Sequence, residues 1–83
     1  MLQIQECRLA LADRCREHTD LSLEDLWFRC LALGGNNTVL QLDAFLHGAL
    51  VPTAHEFNLI AVAVNEYLAE FGVDEFVPYI EGM

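Results

Sequence analysis

There is no lysine in this chain of 83 residues, and its four basic side chains (Arg8, Arg14, Arg16, Arg29) all lie within the first 29 positions. Thirteen carboxylates face them, giving a net charge of −9. A field of that sign repels nucleic-acid phosphates and anionic lipid headgroups, so direct nucleic-acid binding and membrane binding are not expected. A basic protein partner is the electrostatically favoured one.

Cysteine is equally sparse. Cys7, Cys15 and Cys30 are odd in number and contain no Cys-x-x-Cys spacing, so they read neither as a disulfide framework nor as a zinc ribbon. No apolar run approaches the ~20 residues of a membrane span. The start, MLQIQECR, lacks the basic-then-apolar order of a secretory signal. A reduced, cytoplasmic setting is the expectation.

Motifs for chemistry are missing too. Cys15 and His18 stand three apart on one helical face, and Cys30 has His47 as a conceivable partner, but a thiolate needs an electropositive setting and this chain is acidic. Glu24-Asp25 sits at a helix start, where negative charge suits the macrodipole. The run Gly34-Gly35-Asn36-Asn37 precedes no lysine and follows no strand, so it is a helix stop and not a phosphate loop. The two helices flanking it invite comparison with a helix-turn-helix, yet the second carries Asp43 and no Arg or Lys. It reads as an ordinary helical hairpin. No enzyme activity, cofactor or metal is expected.

What remains is an apolar, helical chain. Its hydrophobic fraction of 54% is above the globular norm of about 45–50%, and a domain this small buries only about 60–65% of its surface. Surplus apolar surface predicts self-association, with a homodimer as the simplest closed form.

Spacing and punctuation predict an all-α, four-helix bundle-like domain over 1–83, with helices at about 2–18, 23–33, 39–50 and 54–71 and an extended tail over 73–83. In helix one, Ile4, Cys7, Leu11, Cys15 and His18 form the apolar stripe, and Leu2 with Leu9 forms a thinner line opposite. Ser22 with Asp25, Thr38 with Gln41 and Thr53 with Glu56 are the starts of helices two to four. Trp27 is expected to anchor the core with its indole N–H at an edge. Gly48 is placed inside helix three, on the face opposite its apolar stripe.

Helix four is apolar on two sides. Phe57, Ile60, Val64, Leu68 and Phe71 make the inner stripe, Leu59, Val62 and Ala63 lie opposite, and Asn65, Glu66 and Glu70 are assigned to solvent. The second line is expected to pack on helix one, or else to meet itself across a two-fold interface. In the tail, Pro78 holds Val77 extended, and the segment is expected to fold back on the helices or to dock on another chain. Leu59, Val62, Ala63, Phe76 and Tyr79 are therefore the candidate interaction residues. The expected function is that of a small acidic regulatory or adaptor protein working through protein–protein contact. Two alternatives are a metal- or thiol-dependent sensor using Cys7, Cys15 and Cys30, and an acidic inhibitor of a nucleic-acid-binding protein.

Overall fold

The last three helices each start on a hydroxyl side chain and stop on a glycine. In the computed structural model, which describes residues 4–18, 20–73 and 76–80, α1 spans Ile4–Glu17, α2 Leu23–Ala32, α3 Val39–Leu46 and α4 Ala54–Glu70. There is no strand among the described residues. The fold is the all-α, four-helix one that the periodicity predicts.

The caps follow the sequence signals. Thr38 and Thr53 each accept from the backbone N–H three residues on, and Gln41 and Glu56 reach back to the cap N–H, completing two capping boxes. Ser22 accepts from the Asp25 N–H, and its cap is one-sided, because an aspartate is too short to return the bond.

All three C-termini use one device, the Schellman turn. Gly34, Gly48 and Gly72 carry positive φ. In each, the next residue's N–H reaches back to the carbonyl five positions earlier: Gly35 to Cys30, Ala49 to Ala44 and Val73 to Leu68, at 2.8–2.9 Å. This corrects the expected end of the third helix. Gly48, at φ +77°, stops α3 at Leu46 and so leaves residues 47–50 outside the helix. A glycine read as interior is in fact the terminator.

Packing is organised by α4. Among the described residues it supplies seven of the thirteen buried core side chains (Phe57, Ile60, Ala61, Ala63, Val64, Tyr67, Leu68), and it packs on both α1 and α2, while α3 leans on α2. Large side chains such as Phe57, Leu26 and Leu42 are almost fully enclosed, each stabilising the fold by about 1.5–3 kcal/mol through burial. Cys7, Leu11 and Cys15 meet this core from α1, as their stripe predicts. Leu2 lies outside the described residues. Trp27 packs at the core margin and donates its indole N–H to the Asn37 carbonyl at 2.8 Å, so its polar atom is satisfied at the edge.

One expectation for the α4 stripe is corrected. Phe71 is the C-cap residue and is largely exposed, because the Schellman turn swings it off the inner stripe; it packs instead at a tilt against Tyr67, ring centroids 4.8 Å apart. Tyr67 is the residue that enters the core. Glu70 and Arg29 pair bidentately at 2.8 and 3.1 Å, with the guanidinium 5.5 Å from the Tyr67 ring centroid. The pair is open to solvent, so its main effect is to fix α2 against α4.

Within the tail, the described residues 76–80 fold back on the helices; residues 74–75 and 81–83 lie outside the described residues. The Cα radius of gyration is 11.6 Å, against about 12 Å for a compact chain of this length, and Val77 is buried in the core cluster.

Candidate functional site

Residues 76–80 form a strap along α4, running antiparallel to it. Two asparagines hold the strap by its backbone. Asn65 accepts from the Val77 N–H at 2.7 Å and donates to the Val77 carbonyl at 3.0 Å. One step further along, Asn58 accepts from the Ile80 N–H at 2.7 Å and donates to the Ile80 carbonyl at 2.9 Å. Each side-chain amide thus takes the place of a neighbouring strand's peptide group, satisfying both backbone atoms of one residue.

The two spacings agree. Seven helical residues rise about 10.5 Å, and three extended residues cover about 9–10 Å. Val77 and Ile80 both turn inward against the core, while Phe76 and Tyr79 face solvent. Alternating strand residues would place Val77 and Tyr79 on one side. A repeat of three is that of polyproline II, consistent with Pro78 in the middle. Tyr79 is held from both ends: its carbonyl faces the Cys7 thiol at 3.9 Å, and its hydroxyl lies 3.3 Å from the Asn65 amide nitrogen.

Between strap and helix lies an open groove of about 440 Å³, lined by Val62, Asn65, Glu66 and Ala69 of α4 and by residues 76–79 of the strap. Its walls are apolar, and Glu66 supplies a carboxylate at its rim. Phe76 and Tyr79 stand half-exposed at 52% and 49%, which leaves two aromatic faces available to a partner.

Of the five candidate interaction residues, the structure brings three together: Val62, Phe76 and Tyr79. The other two turn inward. Ala63 is fully enclosed. Leu59 packs against the core, and its Cδ2 lies where a Cβ on Gly35 would come within 2.6 Å. The second apolar line of α4 is therefore divided: the α2–α3 turn lies over Leu59, and the strap borders Val62.

Asn58, Asn65, Ala69 and Pro78 escaped the sequence reading as site residues. Asn65, assigned to solvent, is partly buried and holds the strap. The available signal was a pair of asparagines, poor helix formers, two turns apart on one strongly helical segment.

The Cys15 and Cys30 thiols have no part in the strap. Cys7 and Cys30 are buried and Cys15 partly so, all three unbridged. Burial pushes the Cys15 and Cys30 thiols up to about 11. Among the described residues no three His, Cys, Asp or Glu side chains are grouped as metal ligands, and no helix is long and apolar enough to cross a membrane.

Comparison of the chain with protein-family models, with curated proteins and with solved structures finds no match.

Proposed function

We propose that this is a non-enzymatic regulatory or adaptor protein that acts by protein–protein contact, as a homodimer, through the groove between α4 and the strap. The observation that carries this reading is the pair of half-exposed aromatics, Phe76 and Tyr79, flanking an apolar groove on a backbone held at both ends by asparagine. Aromatic anchors on a rigid support are the residues that dominate contact energies, and pinning the strap beforehand lowers the entropy lost on binding. Glu66 at the rim, in a chain of net charge −9, favours a basic partner, which includes the case of an inhibitor occupying the basic groove of a nucleic-acid-binding protein.

Sedimentation velocity of wild type and Phe76→Asp tests the dimer. Wild type is expected to be dimeric and the variant monomeric. The wild-type dimer should tighten at high salt, because screening removes repulsion between two acidic bodies, whereas a complex with a basic partner should loosen. A monomeric wild type refutes the dimer, and an unchanged dimer in the variant moves the interface off the groove.

The thiol- or metal-dependent sensor is the second reading. The raised thiol values of partly buried Cys15 and buried Cys30 weigh against it, since a redox sensor needs accessible thiolate.

A further inference from the structure

We propose that a second cleft, on the opposite flank from the strap groove and independent of it, binds a small monocarboxylate with an apolar body, the carboxylate seated on Arg8. The cleft opens between α1 and the turn that joins α3 to α4 and encloses about 390 Å³. That is the size of a metabolite site and too small for a helix. Its floor is Leu11, Phe57 and Ile60, all buried side chains, and Phe45 and Leu46 form a wall. Arg8 lines the mouth.

Arg8 differs from the other arginines. Arg14 pairs with Glu17, Arg16 with Asp13 and Arg29 with Glu70. Among the described residues Arg8 makes no ion pair, although carboxylates outnumber arginines thirteen to four. Its guanidinium reaches from α1 toward the end of α3, with Nη2 3.9 Å from the place a Cβ on Gly48 would occupy. Asp43, the carboxylate of α3, is engaged with His47, whose Nδ1 lies 3.1 Å from its Oδ1 and 2.9 Å from its carbonyl oxygen.

A chain this acidic repels anions over most of its surface, so an anion held here needs a local cation. A guanidinium at the mouth of an apolar cleft matches a carboxylate bidentately, while the floor takes the hydrocarbon by burial alone. A cationic ligand finds no counter-charge on the floor. A neutral one leaves Arg8 unpaired.

Titration calorimetry with decanoate, below its micelle concentration, and with decanol as the uncharged control tests the site, together with amide chemical-shift mapping. Decanoate is expected to bind one-to-one and to shift the amides of Leu11, Phe45 and Phe57. Arg8→Met should weaken decanoate about tenfold or more while leaving decanol within about twofold; retained decanol binding shows that the variant is folded. Ala12→Leu, which adds a side chain to the cleft wall, should weaken both. No decanoate binding, equal decanoate affinity in wild type and Arg8→Met, or shifts confined to Val62, Phe76 and Tyr79 would each overturn the proposal.

Discussion

Asn65 and Val77, twelve positions apart in sequence, exchange two hydrogen bonds in which a side-chain amide pairs with a main-chain peptide. Val77 is enclosed, at 1% exposure, so both its backbone atoms depend on that one side chain. Asn65→Ala should therefore leave a buried N–H and a buried carbonyl without partners, at about 1–3 kcal/mol. Urea denaturation of the variant measures the loss. Asn58→Ala should act similarly at Ile80, and unchanged midpoints in both variants would show that the strap contributes nothing to stability.

Arg29 and Glu70 make stability depend on acid pH. The hydrogen bond from Arg29 holds the Glu70 carboxyl below its ordinary value of 4.5, with Coulomb attraction adding to it. A depressed folded pKa gives stability that is present above the unfolded value and lost as pH falls through the folded one. Thermal melts of wild type and Arg29→Met should thus differ by a constant amount well above the ordinary carboxyl value of 4.5 and converge as pH falls below it through the folded one. A gap that persists in acid would place the effect in packing on Tyr67 and not in the ion pair.

The thiols predict the opposite slope. Cys15 and Cys30 are raised by burial from 9.0 to about 11, so their contribution is present below pH 9 and lost as pH rises toward 11. At pH 8 each should hold about a hundredfold less thiolate than in the unfolded chain. Ellman's reagent should label both slowly in the native protein and rapidly in urea. Native labelling at the unfolded rate would revive the thiol-sensor reading.

The glycine turns separate two costs. Gly48 has open space around its Cβ position apart from the Arg8 guanidinium, but its φ is +77°, so Gly48→Ala should cost about 1–2 kcal/mol from backbone conformation. Gly35 has ordinary φ, yet a Cβ there meets Leu59 Cδ2 at 2.6 Å and the Cys30 carbonyl oxygen at 2.9 Å. Gly35→Ala should destabilise through contact, and Leu59→Ala should recover part of the loss in a double-mutant cycle. Full additivity of the two would mean that Leu59 and the α2–α3 turn do not press on one another.

The helices are legible in the sequence because their signals are local. Thr38 with Gln41 and Thr53 with Glu56 bond within four residues, and the stripe of Cys7 and Leu11 needs only helical periodicity. The misplaced features depend on geometry that periodicity omits. Gly48 falls on a helical wheel position only if the helix continues, and its own φ ends it. Phe71 fits the α4 stripe by spacing but comes after the last helical residue. Asn65 looks like a solvent residue until Val77 returns to it. At the groove, Val62, Phe76 and Tyr79 follow from apolarity alone, whereas Leu59 and Ala63 required knowing that the α2–α3 turn and the core would cover them.

The spacing of Asn58 and Asn65 exists only once α4 is helical; in a disordered chain the same two amides have no fixed separation. The strap therefore has nothing to register against until its helix is built, and its docking is expected on the late side of the folding barrier. Such contacts govern the unfolding rate far more than the folding rate. Substitutions at the two asparagines should accelerate unfolding and leave refolding almost untouched in stopped-flow measurements, which makes the groove the last surface to appear and the first to be lost.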